Sequence, residues 1–279
     1  MTLKNFFYKF FIYFYFLVKY ILSLTAFLFD FNVKKSFIQK LFIIKKINKI
    51  SNSVSCPHSQ KEILFFIREI ISIPKEKKGC IVEAGAFKGG STAKFSIAAK
   101  IAKRELVVFD SFKGIPENDG IENQGIDKLV TLSKGRCQRW TQNSMKKDIK
   151  ENKEIKLYQF NFPKGLYAGS LKEVKENVKK FGEINSCRFI KGWFKDSMPK
   201  FSTPIVAVYL DVDLASSTKT CLKHLYPLIV PGGVLYSQDA HIPAVVDLFN
   251  DNKFWRKELG IKKPKIEKPD TSLIKIVKH

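Results

Sequence analysis

A glycine-rich turn follows a short apolar segment, residues 80–84, and opens a predicted helix over residues 91–102. Gly85 and Gly89 allow the backbone to approach a ligand closely, and Ser91 or Thr92 can cap the helix that follows. A tight strand-to-helix turn without any ligand uses the same residue types. The turn therefore becomes informative only together with residues elsewhere in the sequence.

An acidic residue ends the next predicted strand, residues 105–109, where Asp110 follows Gly85 by 25 positions. A carboxylate at this point accepts hydrogen bonds from ribose hydroxyls, so the turn and Asp110 together indicate a nucleoside-bearing cofactor. The glycine spacing departs from the GxGxxG dinucleotide fingerprint. Glu83, just before the turn, would repel a pyrophosphate but attract a sulfonium and an amino group. The residues therefore favour S-adenosylmethionine over NAD.

Two aromatic residues follow the third predicted strand, residues 188–190. Trp193 and Phe194 are candidates for the wall of an adenine pocket, and ordinary packing in the core is the alternative.

Oxygen ligands follow the next two predicted strands, residues 205–210 and 234–237. They are Asp211 and Asp213 after the first strand and Gln238 and Asp239 after the second, with His241 just beyond. Neighbouring strand ends that carry carboxylates suit an octahedral Mg²⁺ completed by water and substrate. Each aspartate also has an alternative as a helix N-cap, and this alternative is strongest for Asp213, which precedes a predicted helix.

Five ordered blocks between about residues 79 and 252 resemble the macrocin O-methyltransferase (TylF/MycF-type) family. The blocks are Glu83-x-Gly85-x-x-x-Gly89-Gly90-Ser91-Thr92, Phe109-Asp110-Ser111-Phe112-x-Gly114-x-Pro116, Gly169-Ser170-Leu171-x-Glu173-Val174-x-x-Asn177, Gly192-x-Phe194-x-Asp196-x-x-Pro199 and Leu210-Asp211-x-Asp213-Leu214.

The resemblance implies a class I, S-adenosylmethionine-dependent and Mg²⁺-dependent enzyme that methylates sugar hydroxyls of natural products. It implies roles for three groups of residues. The methionine and ribose parts of the cofactor would be held by Glu83, Gly85, Gly89, Ser91 and Asp110, adenine by Trp193 and Phe194, and the metal by Asp211 and Asp239.

The family usually has two acidic residues where this chain has Gln238 and Asp239. The neutral amide replaces one anionic ligand, so we expect a lower Mg²⁺ affinity. Asp213 and His241 are the candidate bases for the acceptor hydroxyl. A catalytically impaired, membrane-attached protein that binds S-adenosylmethionine is the alternative function, and an RNA methyltransferase is a weaker one.

Strands that alternate with helices from residue 80 onward predict the element order needed to bring these residues together. The expected fold is α/β and Rossmann-like, with a mainly parallel sheet, helices on both faces and ligands at the carboxyl ends of the strands. We assign residues 51–279 to this methyltransferase domain. A long irregular stretch, residues 113–164, is typical of a lid or substrate loop.

The first fifty residues contain 11 of the 25 phenylalanines, and most residues from 6 to 29 are apolar. A helix that is apolar on all sides is either buried or in a membrane. Lys19 lies at the centre of a possible membrane span and makes insertion less favourable. The apolar residues around it contribute slightly more in the opposite direction, so the balance modestly favours insertion. The basic flank after the span favours a cytoplasmic body attached to the inner face of the membrane. A helix packed on its own domain or on a second subunit is the alternative.

The net charge of +23 raises the question of a nucleic-acid partner. Only six of the basic residues are arginines, whereas base readout favours the arginine fork, so we expect a small-molecule or glycan acceptor and no nucleic acid. Five separated cysteines without a CxxC pair predict a reducing, intracellular compartment. The oligomeric state is left open, and a homo-oligomer is compatible with the sequence.

Overall fold

A computed structural model describes residues 18, 20–118, 162, 164–270 and 272–279. Its centre is a seven-stranded sheet with the order β3-β2-β1-β4-β5-β7-β6. The strands are β1 (Cys80–Ala84), β2 (Leu106–Asp110), β3 (Cys187–Lys191), β4 (Ile205–Leu210), β5 (Ile229–Ser237), β6 (Glu267–Asp270) and β7 (Leu273–Val277). The first five strands pair in parallel, and β7 is antiparallel to both β5 and β6. The predicted Rossmann-like α/β fold with a mainly parallel sheet is confirmed.

Both faces of the sheet are covered, because successive side chains of a strand point to opposite faces. Ile81 joins one apolar cluster and Val82 the other. The first cluster includes side chains of α1 (Phe37–Ser53), α2 (Gln60–Ser72), α3 (Gly90–Ala102) and α4 (Leu171–Phe181). The short α5 (Phe194–Ser197), α6 (Ala215–Leu225) and α7 (Pro243–Asn250) lie on the side of the second cluster.

The start of α3 differs from the sequence-based expectation. Its N-cap is Gly89, with a φ of +83° and no side-chain capping bond, so neither Ser91 nor Thr92 caps the helix. A Cβ at Gly89 would come within 3.1 Å of the Val174 side chain, and the left-handed backbone also favours glycine. Ser91 and Thr92 lie in the first turn of α3, and their hydroxyls interact with Glu83 of β1.

The N-terminal residues that are described pack partly on the domain. Residues 20–28 are mainly helical, and α1 runs across residue 50 with Ile43, Ile47 and Ile50 buried in the first apolar cluster. No helix among the described residues has the length and apolarity to cross a membrane. Residues 1–17 and 19, which carry most of the predicted apolar segment, and most of the predicted lid, 119–161, lie outside the described residues.

The opposite side of these N-terminal helices is apolar and exposed. We call it the N-terminal apolar surface; its members are Ile21, Leu22, Phe29, Phe31, Phe37, Ile38, Leu41 and Phe42.

Candidate active site

The carboxyl ends of three neighbouring strands are held together by backbone hydrogen bonds. The N–H of Asp211, after β4, donates to Ala84 O at 2.9 Å, and the N–H of Gln238, after β5, donates to Leu210 O at 2.8 Å. Because parallel strands end at the same edge, the residues after β1, β4 and β5 lie side by side. This edge therefore brings the predicted metal ligands next to the glycine-rich turn.

Three carboxylates converge there. Single oxygens of Asp211, Asp213 and Asp239 lie within 4.8 Å of one another. Asp239 is fully buried; its Oδ2 accepts the N–H groups of Val212 at 3.1 Å and Asp213 at 3.2 Å, while its Oδ1 has no hydrogen-bond partner among the described residues. Asp213 adopts a φ of +60°, and the N-cap of α6 is Leu214. The N-cap interpretation of Asp213 is therefore wrong.

Burial and mutual repulsion favour the protonated forms of Asp239 and Asp213. Burial, with Asp211 as the next cause, raises the pKa of Asp239 to about 8, and burial together with Asp239 and Asp211 raises that of Asp213 well above its ordinary value. Like charges brought this close cannot all ionise without a counter-charge. The unpaired Oδ1 of Asp239 and the all-oxygen donor set fit a hard divalent cation such as Mg²⁺.

Position 85, at this edge, requires glycine because of its backbone conformation and its close neighbours. Its φ is +91°, and a Cβ there would come within 1.9 Å of Asp211 O. The turn after β1 thus lies directly against the backbone that carries the carboxylates. A side chain at position 85 would push these two segments apart.

Asp110 braces the glycine-rich turn. Its Oδ2 accepts the Ala86 N–H at 2.7 Å, and its Oδ1 accepts the Phe112 N–H at 2.5 Å. Burial raises the Asp110 pKa, and the bonds from the backbone oppose this rise. The carboxylate stands at the end of β2 as predicted, but part of its capacity to accept hydrogen bonds is used to fix the turn.

Glu83 lies within β1 and is fully buried. Burial raises its pKa to about 8, although the hydroxyls of Ser91 and Thr92 lower it in part. Neither carboxyl oxygen has a well-formed hydrogen bond to the described residues. A buried acid without a partner is costly to ionise, so a cationic ligand beside it would supply the missing counter-charge.

The predicted adenine wall adjoins Asp110. The Gly192 N–H donates to Asp110 O at 3.0 Å, which brings the segment that carries Trp193 and Phe194 to the end of β2. Both aromatic residues are half-buried, and Phe194 packs partly on the second apolar cluster. The geometry is compatible with both the adenine and the packing interpretation, so the adenine role stays a prediction.

Gln238 and His241 lie near the carboxylates without a demonstrated role. Both residues are half-buried, and Asp239 O accepts the N–H of Ile242 at 2.9 Å, so that His241 lies within the turn that this bond closes. Their assignments as a metal ligand and a base stay predictions.

Sequence reasoning missed two residues that contact this edge. His58 Nε2 forms an ion-pair contact of 3.0 Å with Asp211 Oδ2, and Cys56 Sγ lies 3.2 Å from His58 Nδ1. Both residues belong to the connector between α1 and α2, before the capping box of Ser59 and Glu62. A histidine two positions after a cysteine was the available signal, but nothing in the sequence indicates that this connector reaches the end of β4.

The amino-acid sequence is similar to those of several O-methyltransferases. The model of the family described as Macrocin-O-methyltransferase (TylF) matches residues 144–272. The Streptomyces olivaceus protein 8-demethyl-8-(2,3-dimethoxy-alpha-L-rhamnosyl)-tetracenomycin-C 4'-O-methyltransferase is 30% identical over 191 residues, which cover 67% of this chain and 61% of the relative. Mycinamicin III 3''-O-methyltransferase of Micromonospora griseorubida is 30% identical over 60% of this chain and 57% of its own length.

The fold has solved counterparts. The structure of the O-methyltransferase NovP is 22% identical, superimposes with a TM-score of 0.52, and covers 84% of this chain and 80% of its own. This likeness concerns the fold alone. The chain spans roughly 60% of the length of the two curated relatives.

Proposed function

The chain belongs to the macrocin-O-methyltransferase (TylF) family, and we propose that it transfers the methyl group of S-adenosylmethionine to a hydroxyl of a sugar or polyol. The acceptor would be a small molecule or a glycan, as the names of the two curated relatives suggest. The observation that carries the proposal is the convergence of Asp211, Asp213 and Asp239 beside the glycine-rich turn.

Methyl transfer requires an acceptor oxygen aligned with the methyl group and relieved of its proton. The new C–O bond forms as the S–C bond breaks, and the sulfonium is already a good leaving group. The protein therefore has to orient the oxygen and accept the proton. A divalent cation, when bound, would lower the proton affinity of the acceptor hydroxyl.

Asp211 and Asp239 are the residues we propose to hold this cation, with the Gln238 side-chain oxygen as a weaker ligand. Asp213 or His241 would take the proton from the acceptor. Burial, together with Asp239 and Asp211, raises the pKa of Asp213, which makes its carboxylate a stronger base than that of an exposed aspartate.

Glu83 and Asp110 are the residues we propose to bind the cofactor's amino and ribose groups. The buried carboxyl of Glu83 would become ionised when the cationic methionine moiety displaces its proton. Gly85, Gly89 and Ser91 shape the turn around the same moiety, with Trp193 and Phe194 beside adenine.

The test is methyl transfer from labelled S-adenosylmethionine to a panel of nucleotide-linked and free sugars, with and without Mg²⁺. Asp211→Asn should abolish transfer while cofactor binding, measured by calorimetry, persists. Asp247→Asn is the matched control, because Asp247 is exposed on α7 and does not belong to the cluster of three carboxylates. Full transfer by Asp211→Asn would exclude the proposed site, and failure of a folded chain to bind the cofactor would exclude the function.

We also propose that the N-terminal apolar surface contacts an anionic lipid surface. Lys34, Lys45 and Lys49 are exposed beside its aromatic and aliphatic side chains, and Asp30 is the sole acidic residue among the first 61. A basic rim around exposed apolar residues complements anionic headgroups over an acyl boundary. Sedimentation with vesicles that contain or lack phosphatidylserine tests this proposal; binding to neither type would exclude it.

A further inference from the structure

The connector between α1 and α2 holds a cysteine in an unusual electrostatic setting. Cys56 is half-buried, with its sulfur 3.2 Å from His58 Nδ1, and the other side of that imidazole contacts Asp211. Cys56 thus contacts His58, and His58 contacts Asp211, which is a proposed metal ligand. The sugar-methylation chemistry proposed above makes no use of the thiol.

A second, independent group faces the same thiol. Lys94 of α3 is completely buried, and its ammonium has no hydrogen-bond partner among the described residues. Cys56 also lies against the first turn of α3, since a Cβ on Gly90 would come within 2.7 Å of Cys56 Cβ. Cations and a helix N-terminus beside a partly exposed thiol are the environment that stabilises a thiolate.

The other described cysteines provide an internal comparison. Burial raises the pKa of Cys80 to about 11 and that of Cys187 to about 12, and it also raises that of Cys221. Burial acts in the same direction on Cys56, but Lys94 and His58 more than offset it and lower its pKa to about 6. Glu83 on β1 and Tyr209 on β4 are acidic groups of the sheet that also interact electrostatically with Cys56.

We propose that Cys56 is a modification site, a reactive thiolate that takes up electrophiles and peroxides at the border of the candidate active site. With hydrogen peroxide, the sulfur attacks one oxygen: an S–O bond forms, the O–O bond breaks, and hydroxide leaves and takes up a proton to become water. The sulfur is oxidised to a sulfenic acid and the peroxide is reduced. The product removes the negative charge that faces His58 and Lys94.

The test is competitive labelling of the folded full-length chain with limiting iodoacetamide at neutral pH, read by peptide mass spectrometry. Cys187 is the matched reference, because it is half-buried like Cys56. We expect Cys56 to label about 100-fold faster, since its larger thiolate fraction outweighs its lower intrinsic nucleophilicity. Equal labelling rates would overturn the proposal.

One variant separates the electrostatic cause of the reactivity from simple access to the thiol. Lys94→Met should slow the labelling of Cys56 at least about tenfold without changing Cys187, once circular dichroism shows that the variant is folded. An unchanged rate in a folded Lys94→Met chain would overturn the electrostatic explanation. After peroxide, a dimedone adduct should appear at Cys56, and its absence would exclude the peroxide reaction.

Oxidation of Cys56 should also affect methyl transfer, an expectation that rests on the proposed function. Peroxide should lower methyl transfer by the wild-type chain, whereas Cys56→Ser should keep the same rate before and after treatment. Labelling is measured without cofactor, so a failure of the methyltransferase proposal leaves the labelling result interpretable.

Discussion

The carboxylate edge of the sheet, which carries Asp211, Asp213 and Asp239, and the N-terminal apolar surface differ in where their charged groups lie. At the edge, single oxygens of Asp211, Asp213 and Asp239 lie within 4.8 Å of one another, and Asp239 is fully buried, so the pKa values of Asp213 and Asp239 are raised by burial and by the neighbouring carboxylates. At the N-terminal apolar surface, lysines stand in solvent beside apolar side chains, and Ile38 is 77% exposed. The first arrangement suits chemistry on a small polar ligand, whereas the second suits contact with a large surface.

The two regions should therefore respond separately to substitution. Changes at the edge should alter turnover, cofactor or cation binding, or pH-dependent stability, and leave vesicle binding intact. Changes at the N-terminal apolar surface should do the reverse.

Besides the loss of transfer expected for Asp211→Asn, the largest effect is expected for Asp239→Asn. The substitution removes a fully buried carboxylate whose Oδ2 also fixes the backbone of Val212 and Asp213. Turnover should fall by about 10²- to 10³-fold, as when one preorganised electrostatic group is deleted. Steady-state methyl transfer measures this, with the exposed Asp247→Asn as control. Vesicle binding by the same variant should stay at the wild-type level, and a loss of both properties would break the separation between the two regions.

Gly85→Ala should destabilise the edge through its backbone. The new Cβ would come within 1.9 Å of Asp211 O at a residue whose φ is +91°. We expect a loss of at least about 3 kcal/mol in the free energy of unfolding, measured with urea. Gly165→Ala is the matched control, because φ is +83° there but nothing lies within 4 Å of the new Cβ. That control should cost about 1 kcal/mol, and equal losses would show that the contact with Asp211 is unimportant.

Glu83→Gln should change how stability depends on pH. Folding raises the Glu83 pKa from 4.5 to about 8, so the folded chain binds the proton more tightly and its stability falls as pH rises through that window. The variant should be more stable than wild type by on the order of 5 kcal/mol above about pH 8, and similar below the ordinary pKa. Thermal unfolding at both ends of the window measures this. A difference that is larger at acidic pH would contradict the assignment.

The position of the carboxylates was largely predictable from the sequence, because they directly follow strands that the sequence marks clearly. The predicted strand over residues 205–210 coincides with β4, and Asp211, Asp213 and Asp239 after β4 and β5 lie close together. Hydrophobic runs bounded by turns mark such strands without any long-range information. The N-cap interpretation of Asp213 failed because local sequence does not reveal the carboxylate of Asp239, which accepts the Asp213 N–H from the next strand.

The contacts of the N-terminal region were less predictable. Overall apolarity does not tell which side of α1 packs on α3 and which side stays exposed, and Lys40 shows the difficulty. Its ammonium is buried and donates to Leu28 O and Asp30 O, so a residue that reads as part of a basic flank fixes the preceding helix. The strand β6 was missed because its sequence, Glu267–Asp270, has no apolar alternation. Cys56 and His58 were missed because their partners lie far away in the sequence.

Gln238→Glu tests whether a second anionic side chain at the carboxylate edge strengthens cation binding. A second anionic side chain beside Asp239 should raise Mg²⁺ affinity by about tenfold, because carboxylates bind this hard cation more strongly than amides do. Calorimetry with Mg²⁺ on the cofactor-loaded chain measures it. A gain in metal-dependent transfer from a nearly inactive wild type would favour the catalytically impaired alternative. If affinity is unchanged, position 238 does not contribute to the cation site.

Ile38→Ser gives the smallest expected effect and tests the other region alone. Ile38 is 77% exposed on α1, so the substitution should leave the fold unchanged. Burial of one aliphatic side chain in an acyl boundary contributes about 1 to 2 kcal/mol, so vesicle affinity should fall roughly tenfold. Lys45→Gln should instead reduce binding to anionic vesicles without affecting neutral ones, since it changes charge but little apolar area. If Ile38→Ser lowers methyl transfer to soluble sugars while vesicle binding persists, then the two regions are coupled and the N-terminal helices belong to the active site's own architecture.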